Sequence, residues 1–513
     1  MSLIERIAKR FGYTKPGRRS SAPSQTFQMA NVNRLTASWT TSSTSADSQA
    51  RAGLSISRAR SRQLRDDNDY AAKFVSMLKT NVLGEGGIHF KAGVKEPDLV
   101  KGNKMIPGVP DVFANKTITE NFWKWGRKEF CTVTGKMTWC DVQRVVLECV
   151  AVDGECIIRK IPTAKDENPF GFTLKIYEGS RLDVDHNEMS PEGNEIRMGV
   201  EQTKDGKPLY YWLLNQDPGE NFFLANQRFE RERVPASQII HLGIIRRANQ
   251  TRYNPLMITS GYRMNMVGKY EEAETVGKRV AASKMGFITQ DQGPEGYNGE
   301  DDGDGNKIMD AEPGAFEVLR RGQDIKSLDW QHSATDFAAF MKCALRGIAA
   351  GLNVSYNSLA NDMESVNFAS GKLGLMEERE VWKAMQAWFI ESFCEPVFEA
   401  WLLPAITGGQ INLPVSKFDK FNAPIFRGRR WQYVNPAQDV EADIRQINAG
   451  LTSISRVLAE RNIDRDELFD EIQSDKQAME SRGIELPELI SKLEIAAVNA
   501  QKQAQQDSGQ PTA

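Results

Sequence analysis

Residues 337–356 read FAAFMKCALRGIAAGLNVSY, and this stretch decides the fold. Its apolar residues recur every three or four positions, which is the spacing of one helix face: Phe337, Phe340, Met341, Ala344, Leu345 and Ile348. Gly351 follows the last of them and predicts the end of the helix, since glycine favours the position after a helix. Residues 353–365 are mostly polar, and we interpret them as a loop.

A longer helix is predicted upstream, over residues 256–285, where apolar residues again recur at helical spacing and no proline interrupts them. A helix of that length would extend about 45 Å. Between the two helices lies a polar, glycine-rich insertion, residues 293–305. Its acidic run overlaps part of a calcium-binding loop, but Ala311 stands where such a loop needs a bidentate glutamate. We therefore predict a solvent-exposed loop tip without a metal.

Further helices are predicted after the polar loop. The first is marked by apolar residues at helical spacing: Leu375, Val381, Met385, Trp388, Phe389 and Phe393. We expect it to bend at Pro396 and to end at Pro404, since proline interrupts the hydrogen bonds of a helix interior. Residues 437–490 are helical by the same criterion, with a stop at Gly450, and the tail from Gln501 is too polar to fold.

The first half of the chain mixes helices and strands. Apolar spacing predicts helices over 70–82 and 142–150, and residues 155–161 have the composition of a strand. Residues 172–245 then alternate short strand candidates with turns. Gly84-Glu85-Gly86-Gly87 follows a helix rather than a strand, so we interpret it as a helix-capping turn and not as a phosphate-binding loop. The predicted fold class is α+β.

Charge is almost balanced over the whole chain but not along it. The 513 residues carry 65 Lys and Arg against 68 Asp and Glu, and a net charge of −3 argues against coating nucleic acid by bulk attraction. Residues 1–65 contain twelve basic residues against Glu5 and Asp47, so the rest of the chain is acidic. Because residues 20–57 are rich in Ser, Thr, Ala, Asn and Gln, we predict a basic, low-complexity arm.

Enzymatic motifs are missing from the sequence. It has no P-loop, HExxH or GxSxG motif, and its four histidines lie far apart. The six cysteines form no CxxC pair, and we predict them to be reduced and mostly buried. No apolar run is long enough to span a membrane, so we expect a soluble protein made inside the cell, without a metal or cofactor.

Trp123 and Trp125 have basic neighbours at Lys124, Arg127 and Lys128. One interpretation is a platform on which nucleic-acid bases stack. The other is a half-buried helix face, which is the commoner origin of such a pattern and the one we favour.

Short motifs occur in a fixed order between residues 65 and 490. In chain order they are Arg65-Asp66-Asp67-Asn68-Asp69-Tyr70-Ala71-Ala72, Glu148 with Asp153-Gly154-Glu155, Gly199-Val200-Glu201 with Asp205-Gly206 and Tyr211, Val234-Pro235-Ala236, Ile240-His241, Gln250-Thr251-Arg252, residues 345–356 with Leu359, Trp431 with Pro436, and Ile447, Ala449-Gly450-Leu451 and Asp464. Together they resemble the portal protein family of tailed bacteriophages, in its lambda-like branch. The run 345–356 is the most specific, whereas Tyr253 replaces a glycine that is usual in the family.

The resemblance implies a portal fold, with a mixed α/β wing, a two-helix stem, a small clip and a helical crown, which forms rings. The implied segments are the basic arm 1–64, the first part of the wing 65–252, the first stem helix 253–285, the clip 286–330, the returning stem helix 331–351, the tunnel loop 352–368, the second part of the wing 369–435, the crown 436–490 and a flexible tail 491–513. These segments agree with the helices and loops predicted from the residues.

The resemblance also implies a function. Such portals form a ring, usually of twelve subunits, at one capsid vertex, and double-stranded DNA passes through it during packaging and ejection. The implied partners are other copies of the chain, non-specifically bound double-stranded DNA, the terminase large subunit, the major capsid protein and a head–tail connector. The implied location is the virion, after assembly in the host cytoplasm, and no cofactor is implied.

A DNA conduit must not hold DNA tightly, and in a ring one lysine per chain becomes a circle of lysines. Polar tunnel-loop residues suit a sliding surface, and we predict that these face DNA: Asn353, Ser355, Asn357, Ser358 and Asn361. Lys342 and Arg346, four residues apart on one helix face, are candidates for a weak guiding ring, or else they make ordinary helix salt bridges.

Two other functions stay open from the sequence alone. One is a DNA-binding scaffold or connector without a closed channel, and the other is a nucleic-acid-processing enzyme such as a nuclease. We find no carboxylate cluster that supports the enzyme. Closed rings with a central hole would separate a conduit from a scaffold.

Overall fold

A computed structural model of the chain describes residue 34 and residues 39–97, 99–101, 104–106, 109–218, 230–282, 286–290, 323–327, 334–364, 367–431, 436–461, 463 and 465–482. The predictions for the insertion 293–305 and for the tail from Gln501 lie outside these residues. Within them, no helix is long and apolar enough to cross a membrane.

The helices fall into three groups along the chain. The first group is α1 Ala46–Asp67, α2 Asp69–Leu78, α3 Val112–Trp125, α4 Lys128–Cys131 and α5 Trp139–Asp153. The two central helices are α6 Gly261–Ala282 and α7 Ala334–Leu352. The last group is α8 Tyr356–Ala360, α9 Phe368–Phe389, α10 Glu395–Thr407, α11 Phe418–Phe421, α12 Pro436–Asn448, α13 Ile454–Glu460 and α14 Arg465–Ser481. One π-helical turn, Lys79–Leu83, extends α2, and another, Ile390–Cys394, joins α9 to α10.

Every pair of named strands is antiparallel. The strands are β1 His89–Ala92, β2 Leu99–Lys101, β3 Lys104–Ile106, β4 Glu155–Pro162, β5 Phe172–Glu178, β6 Glu188–Met189, β7 Glu195–Arg197, β8 Val200–Gln202, β9 Pro208–Leu214, β10 Arg231–Pro235, β11 Ile239–Gly243, β12 Gly286–Gln290, β13 Gln323–Ser327 and β14 Pro424–Arg427. One sheet has the order β10-β9-β8-β7-β6 and another β11-β4-β5; the pairs β1-β14, β2-β3 and β12-β13 complete the set. The mixed α+β class and the strands predicted within 172–245 are confirmed.

Local signals explain the helix-to-strand corner after α5. The helix begins with a capping box, in which the Thr138 hydroxyl accepts the Asp141 N–H and the Asp141 carboxylate accepts the Thr138 N–H. It ends at Gly154, whose φ of 89° is the left-handed conformation that glycine adopts without strain. Its apolar face is buried in the main core, so the predicted helix and the strand that follows it are confirmed.

The two tryptophans of α3 belong to the core. Trp125 is fully buried, and its Nε1–H donates to the Phe172 carbonyl at 2.9 Å. Trp123 is partly buried, and its Nε1–H donates to the Phe90 carbonyl at 3.2 Å. Rings around Phe122 pack tightly here, with centroids 4.4 to 6.4 Å apart. The base-stacking platform is therefore wrong, and the helix-face interpretation is confirmed.

Part of the predicted basic arm is helical. The sequence predicts a low-complexity arm over residues 1–64, but α1 begins at Ala46, where the Ser45 hydroxyl accepts the Ser48 N–H. The buried face of the helix consists of Ala50, Leu54, Arg58 and Ser61. Only one of these four is strongly apolar, so no hydrophobic periodicity in the sequence marks this helix. The low-complexity composition of residues 20–57 therefore did not indicate that the chain is helical from Ala46 onward.

The first central helix is shorter than the predicted helix over 256–285. Leu256–Thr259 form a 3-10 turn, and α6 then extends about 33 Å from Gly261. Tertiary packing outweighs the helical periodicity at this point, because Met257 is buried and the Ser260 hydroxyl donates to the Ile348 carbonyl of α7 at 3.1 Å. The two helices run antiparallel, with Tyr270 stacked on Phe337 at 5.7 Å.

Gly351 does not end α7, which continues to Leu352. The helix closes in a Schellman motif: the Val354 N–H donates to the Ala349 carbonyl at 3.1 Å, and the Asn353 N–H donates to the Ala350 carbonyl at 3.2 Å. Asn353, with a φ of 59°, takes the left-handed position that was expected of the glycine. Gly351 instead lies at the contact with α6, where a Cβ would stand 2.2 Å from Ser260 Oγ.

Two further expectations are wrong in detail. The predicted polar loop contains the short helix α8, capped by Ser355. Pro404 lies inside α10, which ends at Thr407, and the Gly408 N–H donates to the Pro404 carbonyl at 2.7 Å. Burial of α10 offsets the hydrogen bond that proline cannot make. Pro396 lies in the first turn of α10, where its missing N–H is not needed.

Other local predictions have mixed outcomes. The turn at Gly84 follows a helix, as predicted, and Gly450, with a φ of 70°, follows the end of α12, as predicted. The six cysteines are free, but only Cys131, Cys156 and Cys394 are buried. The division into arm, wing, stem, clip, loop and crown stays a prediction.

Candidate functional site

The residues after α7 fold back onto α9 and form a polar site. Glu378 of α9 is only 6% exposed, and its Oε2 accepts hydrogen bonds from the Ser355 N–H (3.2 Å) and the Ser358 hydroxyl (2.8 Å). Its Oε1 accepts the Trp382 Nε1–H at 3.1 Å. Ser355 Oγ also accepts the Ser358 N–H, which begins α8. One buried carboxylate therefore fixes the start of the loop.

Two asparagines bracket the short helix. Asn353 precedes it and Asn361 ends it, with φ values of 59° and 52°. Asparagine adopts the left-handed conformation more readily than most residues, so backbone geometry accounts for both positions. Both residues are exposed, whereas Asn357 within the helix is partly buried.

Lys342 on α7 contacts the far side of this loop. Its Nζ lies 3.1 Å from Glu364 Oε2 and 3.6 Å from Asp362 Oδ2. The hydrogen bond to Glu364, together with the charges of Asp362 and Glu364, raises the pKa of Lys342. The lysine therefore pairs with the loop and not along its own helix.

Tyr356 connects the other members of this site. Its hydroxyl donates to Asp362 Oδ2 at 2.7 Å, and the Arg346 guanidinium lies 5.4 Å from its ring centroid. The hydrogen bond from Tyr356, followed by the Glu364 N–H, holds the pKa of Asp362 below its usual value. Burial, and then the bond to Asp362, raises the pKa of Tyr356. Two cations and two carboxylates are thus gathered around one tyrosine.

A second cluster of charges lies where the chain approaches α6. Arg252 and Glu155 are both 0% exposed and form an ion pair through Arg252 Nη2 and Glu155 Oε1. Arg252 also donates to three carbonyls, those of Gly179 (2.9 Å), Leu182 (3.0 Å) and Met198 (2.7 Å). Its guanidinium therefore joins residues that are far apart in sequence.

Glu155 accepts bonds from three further groups, namely Arg58 Nη2 at 2.8 Å, the Tyr253 N–H at 3.2 Å and His241 Nε2 at 3.0 Å. Burial alone would raise the pKa of Glu155. The charge of Arg252, the hydrogen bond from His241 and the charge of Arg58 outweigh burial and hold that pKa well below its usual range.

The chain matches the family model described as phage portal protein, lambda family, over residues 32–386. It belongs to the lambda family of phage portal proteins. The resemblance drawn from the sequence is confirmed, and the match begins well before Arg65, where the sequence motifs begin. The early start agrees with the helical α1.

Individual portal proteins resemble the chain over nearly its full length. It is 30% identical over 501 residues to the probable portal protein of Halomonas phage phiHAP-1, covering 95% of this chain and 94% of that protein. It is 21% identical to portal protein B of Escherichia phage lambda, covering 87% of each. Among solved structures it is similar to chains of gene transfer agent particles. One comes from the neck of an empty particle, with 12% identity and a TM-score of 0.40, covering 81% of this chain and 94% of that one. Another comes from a native virion, with 12% identity and a TM-score of 0.41, covering 81% of this chain and 93% of that one.

Residues from portal motifs that are far apart in sequence lie close together in the structure. Glu155, His241 and Arg252 come from three of them and meet in the buried cluster. Arg58, Arg62 and Arg65 of the basic segment 1–65 form ion pairs within this portal chain, with Glu155, Asp153 and Glu148 respectively. The arm is therefore less free to bind external acids than its net charge indicates.

Sequence reasoning missed Glu378 and Arg58 in this portal. Each is a charged residue in a helix and lies close, in the fold, to residues that are distant in sequence, so no local pattern marks it. Within the described part of the chain, no group of His, Cys, Asp and Glu is placed to hold a metal ion. The portal family is structural rather than enzymatic.

Proposed function

We propose that this portal protein assembles into a closed ring, of twelve subunits as is usual for the family, and that double-stranded DNA passes through the ring during packaging and ejection. On this proposal α6 and α7 are the stem, the β12-β13 pair begins the clip, residues 352–368 are the tunnel loop, and α12, α13 and α14 form the crown. The ring occupies one capsid vertex of the virion after assembly in the host cytoplasm.

An exposed apolar stripe beside the stem carries the proposal. Ile258 in the 3-10 turn and Tyr262 and Met266, four residues apart on α6, are 42%, 76% and 50% exposed. A cleft of about 740 Å³ between α1 and α6 is lined in part by Ile258 and Tyr262. Exposed apolar patches mark interaction surfaces. A neighbouring subunit in a ring would cover this one.

The C-terminal helices support assembly in the same way. They expose several large apolar side chains, namely Val440, Ile444, Leu451, Ile454, Phe469 and Ile472. Because these helices contribute little to the main core, such residues gain most from contact with another copy.

The charges around Tyr356 suit a conduit. Lys342 and Arg346 are matched by Asp362 and Glu364, so a ring of these sites carries little net charge. DNA affinity rises with each phosphate that a cation neutralises, and a balanced ring therefore favours sliding over gripping. We propose that Asn353, Ser355, Asn357, Ser358 and Asn361 border the path of the DNA and that Lys342 and Arg346 guide it weakly.

Family membership supports a set of partners. We propose that the ring contacts the terminase large subunit, the major capsid protein and a head–tail connector, and that it binds DNA without sequence preference. No cofactor is needed for such a role.

Assembly is tested by sedimentation velocity of the purified full chain. We expect wild type to sediment as one large ring-sized species and the double variant Tyr262→Glu, Met266→Glu to sediment as a folded subunit. The control is Met189→Glu, because Met189 is 64% exposed on β6, away from the stem. Ring-sized sedimentation of the double variant would refute the assigned interface.

The conduit is tested by complementing a phage that lacks its portal gene. The double variant Lys342→Glu, Arg346→Glu should still assemble but should package less DNA, because it places a circle of negative charge at the loop. Normal packaging by this variant would refute the guiding ring without affecting the assembly proposal.

A further inference from the structure

A cleft of about 560 Å³ lies beside the Gly84–Gly87 turn, far along the chain from the stem. It is lined by Lys79, Arg144 and Arg429, by the hydroxyl residues Ser76 and Thr80, and by Gly84 and Glu85. Three cations against one carboxylate make its lining basic, although the chain as a whole is slightly acidic. The proposed function makes no use of this cleft.

Two of the three cations, Arg429 and Arg144, are held in place by backbone carbonyls, which leave much of their charge available. Arg429 donates to the Thr80 carbonyl at 2.6 Å, and among the described residues it forms no ion pair. Arg144 donates to the Glu85 carbonyl at 2.5 Å and has only a long 3.5 Å contact with Asp141. Lys79 shares Glu148 with Arg65. Burial and the charge of Arg429 lower the pKa of nearby Arg379, in keeping with a basic surrounding.

The glycine turn shapes the wall of the cleft. Gly84 has a φ of 73°, and a Cβ there would stand 3.1 to 3.2 Å from the aliphatic carbons of Arg429. The absence of a side chain allows the arginine to cross the turn and present its guanidinium beside Thr80. Among the described residues, the hydroxyls of Ser76 and Thr80 have no hydrogen-bond partner within the chain, so both can donate to a ligand.

We propose that this cleft binds a phosphate group of the DNA backbone. Arginine, lysine and hydroxyl groups converging on one polar cleft match the oxygens of a phosphate, and phosphate contacts position a protein on DNA without reading its sequence. The inference rests on the proposed function, because it takes the ligand to be the DNA that the portal carries. It adds a holding site, formed by other residues than the loop after α7, to the proposed sliding surface.

The test measures the binding of a labelled DNA duplex to assembled full-length rings over a range of salt concentrations. Arg429→Ala should weaken binding and lower the slope of log affinity against log salt by about 0.9 for each phosphate that the protein no longer neutralises. Glu85→Gln should strengthen binding, because it removes the only carboxylate that lines the cleft. Arg430→Ala is the matched control, since Arg430 is exposed, adjacent and outside the cleft lining.

Several outcomes would overturn the proposal. One is an unchanged salt slope in Arg429→Ala and in a second variant, Arg144→Gln, while both still form rings. Another is an equal reduction of DNA binding in Arg430→Ala. Binding of inorganic phosphate distinguishes a DNA phosphate from free phosphate as the ligand. If Arg429→Ala weakens the binding of inorganic phosphate but not that of DNA, the ligand is free phosphate and the DNA assignment is wrong. A wild type that forms no rings would instead refute the proposed function.

Discussion

The helix pair α6 and α7 is joined to the rest of the chain in two contrasting ways. Where the chain approaches α6, Arg252 and Glu155 form an ion pair that is 0% exposed on both sides. Where the chain leaves α7, Lys342 (40% exposed) pairs with Glu364 (81% exposed). Breaking a buried pair strands a charge away from water, whereas an exposed pair exchanges its partner for water at little cost. The first junction is therefore fixed. In the second, Glu378 fixes the start of the loop, whereas its far side, held by Lys342, is free to change.

The largest effect is expected from Arg252→Met. This change leaves Glu155 buried without its main partner and should cost about 3–5 kcal/mol of unfolding free energy. Arg197→Met is the control, because Arg197 is 42% exposed and pairs with a half-exposed Glu195. Thermal unfolding of the full chain measures both. Equal melting temperatures for the two variants would contradict the claim that the buried ion pair stabilises the chain more than an exposed one.

The stability of the chain at acid pH should depend on the same carboxylate, that of Glu155. The folded-state pKa of Glu155 lies well below its ordinary value of 4.5, so its stabilising contribution is complete above about pH 4.5 and is lost as the pH falls through the folded pKa. Glu155→Gln resembles the protonated side chain. The gap in melting temperature between wild type and this variant should therefore shrink below pH 4.5, and a gap that stays constant down to strong acid would contradict the assignment.

Gly351 and Gly347 test how tightly α7 packs against the chain at the start of α6, because a Cβ at either position would meet Ser260 or Arg263. A Cβ at Gly351 would meet Ser260 Oγ, whose hydrogen bond to Ile348 would be displaced, so Gly351→Ala should cost about 1–2 kcal/mol. A Cβ at Gly347 meets only the mobile end of Arg263. Gly347→Ala should thus be neutral or gain up to about 1 kcal/mol from helix propensity. Equal effects in thermal unfolding would show that the helix contact is not tight at Gly351.

The smallest effect is expected from Lys342→Ala, whose partners lie on the surface of the loop. The melting temperature should not change, and its small dependence on salt should match that of wild type. Limited proteolysis should nevertheless cut the loop 361–364 faster, because one of its tethers is gone. A clear loss of thermal stability would mean that the second junction is as fixed as the first.

The sequence predicted those parts of the fold that depend on local signals. The hairpin of α6 and α7 follows from apolar spacing, and the corner at Gly154 follows from apolar spacing and a glycine. It could not predict α1, because half of the buried face is polar, and Arg58 on that face pairs with Glu155, which is 97 residues away in sequence. It assigned the end of α7 to Gly351, because asparagine at Asn353 is a weaker signal than glycine.

The sequence singled out the residues of the candidate site but not their contacts, and their role towards DNA stays a prediction. Lys342, Arg346 and the loop polar residues do lie close together, and Tyr356 joins them to Asp362. Their pairing with Glu364 and Glu378 depends on how the loop folds back, which no periodicity encodes. Charge counting over residues 1–65 also overestimated the free positive charge, since three of the arginines there pair with the chain's own acids.

Electron microscopy of the purified full chain tests the central claim most directly. We predict closed rings with an open central hole for wild type and no rings for the double variant Tyr262→Glu, Met266→Glu. Open arcs, filaments or dispersed subunits from wild type would contradict it and would favour a DNA-binding scaffold without a closed channel.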